Sequence, residues 1–344
     1  MVPGRPDPRL DRGPLPLRGF PVTRVVGTRP REDLDRGTPA GGEGWFERWC
    51  GDAPAERLAA VRILSFGFAL VYLLIRIPSV LAVARLESSR FVPAGPVAVL
   101  SHPLSRSSLL ILLAVTVVAL AGATLGFRWR LSGPVAAVGV LWLLSYRLSW
   151  GQVLHTENLL VLHLLILAAS PAADALALDS RHRPAARANA RGWVYGWVLQ
   201  LMGLVTVLGY VVAGYAKLRN GGLDWLSGDV LRSHIALDNL RKALYEEPYS
   251  PLGGWLTRYG FLFAPMAWGA MVLELGGVLA LWRGPLRRLW VWAMWSFHLA
   301  VLALMAIVFP YQLSGIAFAS FSRPEKLLAS GHRALAQATG RPDA

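Results

Sequence analysis

Long apolar stretches recur along this chain, and they limit its fold more than any other feature. Seven of them are close to, or longer than, the span of about 20 residues that a membrane-crossing helix needs. A shorter apolar piece after Pro310 is a candidate eighth helix, either short or re-entrant. The predicted segments are approximately Ala59–Ala84, Ser107–Phe127, Leu131–Tyr146, Gln152–Ser170, Trp193–Ala216, Phe261–Trp282, Leu286–Val308 and Tyr311–Phe321.

Composition predicts the same class of protein. Of the 344 residues, 54% are hydrophobic and 16% are charged, which is too apolar for an ordinary soluble domain. The sequence therefore predicts an all-α integral membrane protein, a polytopic helical bundle of seven to eight spans. The net charge of +14 comes mainly from arginines in loops and at span ends. This placement indicates membrane lipids as partners and argues against nucleic acid, while no protein partner is indicated.

Composition also divides the chain into three parts. Residues 1–56 are rich in Pro, Gly, Arg and Asp, and we expect them to form a disordered arm. Residues 57–322 hold the predicted transmembrane domain, and residues 323–344 form a short polar tail.

The segment between Gly228 and Glu247 has the pattern of an amphipathic helix. Four apolar residues recur at helical spacing and share one face, whereas the charged residues lie mostly elsewhere. Those four are Val230, Leu237, Leu240 and Leu244. The pattern predicts a helix that lies along the membrane surface.

Arginines in alternate loops give an orientation. With a cytoplasmic N-terminus, the loops after spans two, four and six would face the cytoplasm and hold nine arginines. These are Arg128, Arg130, Arg181, Arg183, Arg187, Arg191, Arg283, Arg287 and Arg288. The opposite loops hold a similar number, but six belong to a long segment, where charge counts less. We expect a plasma membrane protein with its N-terminus in the cytoplasm.

The stretch from Tyr210 to Gly228 has the most informative local pattern. It begins inside an apolar run and places Lys217 where that run ends, near the predicted membrane edge. Two glycines follow and let the chain turn before Trp225, a residue type that suits the headgroup level.

Eight spaced residues of this stretch carry a resemblance: Tyr210, Ala213, Gly214, Lys217, Leu218, Asp224, Trp225 and Gly228. They resemble the signature of the horizontally transferred transmembrane (HTTM) domain family, best known from the vitamin K-dependent gamma-carboxylases. The resemblance covers roughly residues 59–325. It implies a reduced quinone of the vitamin K type as cofactor, with Lys217 as the base that deprotonates it. It also implies that Tyr210, Asp224 and Trp225 contribute to the quinone pocket.

Judged on the residue alone, Lys217 has two interpretations. A lysine at a span end more often extends to the headgroups than acts as a base, since its amine has an ordinary pKa of about 10.4. Burial or a neighbouring cation is needed to lower that pKa toward neutrality. Asp224 is a candidate ion-pair partner that would cancel this effect. The resemblance shifts the interpretation of Lys217 toward catalysis.

The stretch from Tyr210 to Gly228 is called the motif below. Two predicted spans follow it, and Glu274 stands in the middle of the first and His298 in the middle of the second. The resemblance assigns both to the quinone pocket, because gamma-carboxylases carry an acid and a histidine in similar surroundings. The structural alternative is that the two side chains hydrogen-bond each other and fix the packing of their helices.

Polar residues also open the fourth predicted span. His155 and Asn158 are three residues apart, which puts them on one helix face and leaves Glu157 off it. The resemblance implies a catalytic role for His155 and a pocket role for Asn158. Arg76, well inside the first span, is expected to face the bundle interior, a cavity or a nearby interface, or else to extend to the headgroups. No metal is predicted, because the histidines and acids lack a compact ligand spacing.

Two functions stay open at this point. The first is a quinol-dependent, epoxidase-like or carboxylase-like enzyme with Lys217 as base, although the large extracytoplasmic domain of the carboxylases has no counterpart in this sequence. The second is a non-catalytic membrane protein, such as a transporter, a lipid-binding protein or an assembly partner, built on the same bundle.

Overall fold

A computed structural model describes residues 44–151, 154–182 and 190–327. This part of the chain is an all-α bundle with almost no strand, as the sequence predicts. Most of the predicted N-terminal arm and the end of the polar tail lie outside the described residues. The helices are α1 (Trp45–Cys50), α2 (Ala55–Ala82), α3 (Arg106–Leu125), α4 (Trp129–Leu148), α5 (Asn158–Ala168), α6 (Trp193–Gly221), α7 (Asp224–Ser227), α8 (Asp229–Leu244), α9 (Pro251–Leu256), α10 (Phe263–Leu275), α11 (Pro285–Met305) and α12 (Pro310–Leu313). Short 3-10 helices cover Val83–Arg85, Ser88–Arg90, Gly95–Val99, Asp179–His182, Gly260–Leu262, Gly276–Leu281 and Ile316–Phe321.

Six helical segments of the described chain are long and apolar enough to cross a membrane, as expected of a multi-pass membrane protein. Each lies within a few residues of a predicted span. The six are Ala55–Arg85, Arg106–Leu125, Trp129–Leu148, Trp193–Gly221, Gly260–Leu281 and Pro285–Met305.

The other two predicted spans are shorter than expected. The helix α5 has 11 residues, or about 16 Å at 1.5 Å per residue, which is roughly half of the hydrocarbon core. The predicted eighth segment consists of α12, four residues long, and a 3-10 turn of six residues. Helix lengths alone therefore do not establish seven or eight crossings.

A small β-bridge fixes where two of the long helices begin. The strands β1 (Ala53–Pro54) and β2 (Arg191–Gly192) pair antiparallel, with Ala53 opposite Gly192. They immediately precede α2 and α6, so these helices start at the same end of the bundle, here called the strand end. The opposite end, where α6 finishes, is called the motif end.

At the motif end, the C-terminus of α11 is held by side chains from the α8 region. The last carbonyls of a helix have no partner within the helix, so they need donors from elsewhere. Three successive carbonyls of α11 receive one each. The bonds are Ser250 Oγ to Ala303 O (2.5 Å), Asn239 Nδ2 to Leu304 O (2.9 Å) and Lys242 Nζ to Met305 O (2.5 Å). This contact fixes the helix that carries His298.

The opposite face of α8 is apolar and exposed. Leu237, Leu240 and Leu244 are 63%, 57% and 75% exposed, whereas Ile235 and Asn239 on the other face are buried against the bundle. A helix therefore forms in the predicted segment, but only three of the four predicted apolar residues are exposed, because Val230 is half-buried and packs against the cluster of Trp225, Ala267 and Met271.

Candidate functional site

The motif folds back on itself after α6. Gly222 ends this helix with a φ of +57°, and Gly228, with a φ of +87°, follows the short helix α7. A Cβ at Gly228 would collide with the backbone nitrogen of Ala264, so the residue must be small for α10 to approach. The turn brings the Trp225 ring to 5.5 Å from Lys217 Nζ. The predicted turn between the lysine and the tryptophan is therefore present.

Lys217 forms an ion pair with Glu274 of α10, and the ammonium donates a hydrogen bond to Glu274 Oε1. Gly214, one turn before Lys217, makes the contact possible, since a Cβ there would lie only 3.1 Å from the Cβ of Glu274. The alternative pairing of Lys217 with Asp224 is wrong. Asp224 is exposed in the first turn of α7 and forms no ion pair with the described residues.

A second contact joins the motif to α11. The hydroxyl of Tyr210 and Nε2 of His298 are 2.8 Å apart, and Glu274 is near enough to Tyr210 to interact with it electrostatically. Glu274 and His298 themselves are almost fully buried, at 3% exposed each. The alternative in which Glu274 and His298 bond each other is wrong, because Glu274 bonds Lys217 and His298 bonds Tyr210, both on α6. We call Tyr210, Lys217, Trp225, Glu274 and His298 the lysine cluster.

The lysine cluster contains buried polar atoms that have no hydrogen-bond partner among the described residues. They are Glu274 Oε2, His298 Nδ1 and Trp225 Nε1. An unsatisfied buried polar group costs about 1–3 kcal/mol, so native proteins keep few of them. Three within one cluster give it an acceptor, a donor and a ring nitrogen that can serve as either.

His155 reaches this cluster through one aromatic ring. Its imidazole is 5.8 Å from the ring of Phe309, and Phe309 is 4.9 Å from the ring of His298. His155 nevertheless precedes α5, which begins at Asn158, so the expectation that both residues share a helix face is wrong. Asn158 is exposed and forms no side-chain hydrogen bond among the described residues.

Arg76 belongs to a separate polar group at the motif end. Its guanidinium stacks on the ring of Tyr72 at 4.8 Å, one helical turn away. The hydroxyl of Tyr72 donates to Glu157 Oε1 at 2.5 Å, and Arg147 Nη2 donates to the same oxygen at 2.7 Å. We call Tyr72, Arg76, Arg147 and Glu157 the arginine cluster.

Sequence reasoning missed Glu157, which is 5% exposed and the centre of the arginine cluster. Its second carboxylate oxygen accepts a hydrogen bond of 2.5 Å from Thr156 Oγ1. The sequence signal that could have found it was an acid at the start of an apolar segment, because burying an unpaired carboxylate there has a high free-energy cost. Helical spacing from His155 concealed this signal, since the helix starts only after Glu157.

His163 lies in the bundle core and has a different environment. Its Nδ1 is 2.9 Å from the hydroxyl of Tyr311, and its Nε2 is 3.0 Å from Thr206 Oγ1. The Tyr311 hydroxyl is in turn 3.1 Å from Ser65 Oγ. We call Ser65, His163, Thr206 and Tyr311 the histidine knot. It joins α2, α5, α6 and α12.

The fold and the lysine cluster define a polytopic helical membrane protein with a buried polar site where four helices, α6, α7, α10 and α11, meet. The model of the HTTM domain family matches residues 52–324. The chain therefore belongs to this family, whose domain is a membrane domain of gamma-carboxylase-like proteins. No curated protein and no solved structure matches the chain.

Proposed function

We propose that this chain is a quinol-dependent membrane enzyme, and that the head group of a reduced quinone of the vitamin K type binds at the lysine cluster. The observation that carries the proposal is the set of unpartnered buried atoms, Glu274 Oε2, His298 Nδ1 and Trp225 Nε1. A quinol presents two hydroxyl groups on a flat aromatic ring. Such a head group needs a few placed polar partners within largely apolar and aromatic walls.

The walls of the lysine cluster suit an aromatic head group. Trp225 lies beside Lys217, Tyr210 and Phe309 lie beside His298, and Trp290 packs edge-on against Tyr210 at 5.7 Å. When bound, a reduced quinone would supply an acidic hydroxyl and, after reaction with oxygen, a strong base toward an acceptor.

Lys217 would take up the proton of that hydroxyl. A lysine accepts a proton only as the neutral amine, so its partner matters. In this proposal Glu274, which is almost fully buried and paired with Lys217, would hold the proton while the neutral amine acts as the base. His298, bonded to Tyr210, would orient the head group, and His155 would act from beyond Phe309.

Quinol oxidation in membranes that contain the chain tests this proposal. Reduced vitamin K is supplied with oxygen, and epoxide is followed by chromatography in the wild type, Lys217→Ala and Lys217→Arg. Arginine can keep the ion pair but cannot be deprotonated, so we expect both variants to lose about 10²–10⁴-fold of the rate. Arg219→Ala, an exposed change in the same helix, is the matched control. Wild-type turnover in Lys217→Arg would contradict the role of Lys217, and no epoxide from the wild type would favour the non-catalytic function.

We further propose at least seven crossings of the membrane, and the Arg57–Glu325 ion pair, which returns the chain after α11 to the strand end, favours an eighth. The β-bridge puts the starts of α2 and α6 at the strand end, and the Arg147–Glu157 pair puts the start of α5 beside the end of α4 at the motif end. The chain would then return from the motif end to the strand end between α4 and α6, and α5 would be the apolar part of that return. A segment of this kind can be shorter than a full span because neighbouring helices shield it.

The orientation is also a proposal. The N-terminus would face the cytoplasm, the protein would reside in the plasma membrane, and the motif end with α8 would lie on the outer side. The exposed leucines of α8 would then rest on the outer leaflet. Labelling of Glu246→Cys by a membrane-impermeant maleimide in intact cells, in a Cys50→Ser background, tests this arrangement. Labelling only after lysis would reverse it.

A further inference from the structure

The arginine cluster contains more positive than negative charge. It holds two guanidinium groups and one carboxylate, Glu157. The two oxygens of Glu157 already accept hydrogen bonds from Tyr72, Arg147 and Thr156. Arg76 forms no ion pair with any described residue, and its guanidinium contacts the flat face of Tyr72 instead. The cluster therefore carries one uncompensated positive charge.

Two further features add to the positive potential. Arg147 Nε is buried and has no hydrogen-bond partner among the described residues. The helix α5 begins directly after Glu157, and its N-terminus carries a partial positive charge. These features are of different kinds, but both favour an anion.

The level of the cluster makes it accessible from the motif end. Arg147 is the last residue but one of α4, and α5 starts beside it, so both neighbouring helices end at this level. The first span continues from Arg76 to Arg85, about 14 Å further at 1.5 Å per residue. Arg76 is partly exposed at this level, so a ligand from the headgroup layer or the aqueous phase can approach it; the segment after α2 covers the end of α4, where Val92 N donates to Ser149 O.

We propose that Arg76 and Arg147 form an oxyanion-binding site at the motif end of the bundle. Stacking on Tyr72 leaves the edge of the Arg76 guanidinium available for a bidentate contact with phosphate or carboxylate oxygens. Glu157 orients Arg147 and limits the net charge to one. The same chemistry is offered by the phosphate of a lipid headgroup and by a small free phosphate or carboxylate. Anion binding at this site does not depend on quinol chemistry at the lysine cluster.

Thermal unfolding of the full chain in a phosphate-free maltoside detergent tests the site. The probes are inorganic phosphate, acetate and a short-chain phosphatidylglycerol, because a ligand that binds the folded state raises the unfolding temperature with a saturable concentration dependence. A rise with phosphate or acetate identifies a free oxyanion as the ligand. A rise with the lipid alone identifies a headgroup phosphate. Either result supports the site if it depends on Arg76.

Three variants establish that dependence. The ligand concentration that gives half of the maximal rise in unfolding temperature is the midpoint concentration. In Arg76→Gln it should rise at least about tenfold, because a hydrogen bond to a charged group is lost. Arg85→Gln, an exposed arginine at the end of the same span, is the matched control and should keep the wild-type midpoint. Glu157→Gln retains an acceptor oxygen but removes the negative charge, so it should lower the midpoint. Absence of a rise with all three probes in the wild type, or an unchanged midpoint in Arg76→Gln, would overturn the proposal.

Discussion

Two buried histidines, His163 and His298, lie in the same bundle in opposite states of hydrogen bonding. Both ring nitrogens of His163 have partners, Tyr311 on one side and Thr206 on the other. In His298, Nε2 bonds Tyr210, while Nδ1 has no partner among the described residues. The histidine knot is thus a closed network and the lysine cluster an open one. A closed buried network stabilises and specifies packing, whereas an open one retains atoms for something else to bind.

The lysine cluster differs from the histidine knot in charge as well. The members of the histidine knot are three hydroxyl groups and one imidazole, whereas the lysine cluster includes the Lys217–Glu274 ion pair. A buried ion pair is weak evidence for stability, because the desolvation cost of two charges offsets most of their attraction. We therefore propose that the knot contributes stability and that the lysine cluster binds a ligand or performs chemistry.

Removing one member of the ion pair should have the largest effect on stability. Lys217→Met leaves Glu274 buried without a countercharge, which should cost about 3–5 kcal/mol in the free energy of unfolding. The double variant Lys217→Met/Glu274→Leu removes both charges and should recover most of that loss. Denaturant unfolding of the purified protein measures both values. A double variant as unstable as the single one would mean that the pair is a structural element like the knot.

Forcing α6 and α10 apart should have the next largest effect on the free energy of unfolding. A Cβ at position 214 would lie only 3.0 Å from Leu275 and 3.1 Å from Glu274, so we expect Gly214→Val to lose about 1–3 kcal/mol through overpacking. Gly209→Val lies on the same helix with no atom within 4 Å and is the matched control. Equal unfolding free energies for the two variants would show that Gly214 does not set the position of Glu274.

Removal of a single hydroxyl gives the smallest and most direct contrast. Tyr311→Phe takes one partner from His163 and one from Ser65, so it should cost more than Tyr210→Phe, which takes one from His298. Each net hydrogen bond is worth about 0.5–1.5 kcal/mol, so the two variants should differ by about 1 kcal/mol in unfolding free energy. A larger loss in Tyr210→Phe would reverse the assignment of the two regions.

The sequence was sufficient to predict the class of protein, because a bilayer demands long apolar helices that are visible in composition and length. It also predicted a turn at the two glycines between Lys217 and Trp225, with both residues near the membrane edge. The partner of Lys217 could not be read in this way. Glu274 is 57 residues away, and their meeting depends on the close approach of two helices at Gly214.

The fourth predicted span shows where local pattern reasoning failed. Helical spacing joined His155 to Asn158 and set Glu157 aside, but the helix begins at Asn158. A buried acid there is stabilised by Tyr72 and Arg147, which lie in two other helices. Such partners are determined by tertiary packing, which spacing along one helix does not contain.

The most direct test of the central claim is the change in unfolding temperature on addition of a vitamin K quinone, measured for the wild type, His163→Gln and His298→Gln. We predict that His163→Gln unfolds at a lower temperature yet keeps the quinone-induced rise. His298→Gln should unfold near the wild-type temperature and lose most of that rise, since a ligand stabilises only the state that binds it. A full quinone-induced rise in His298→Gln would contradict the assignment of the lysine cluster as the binding site.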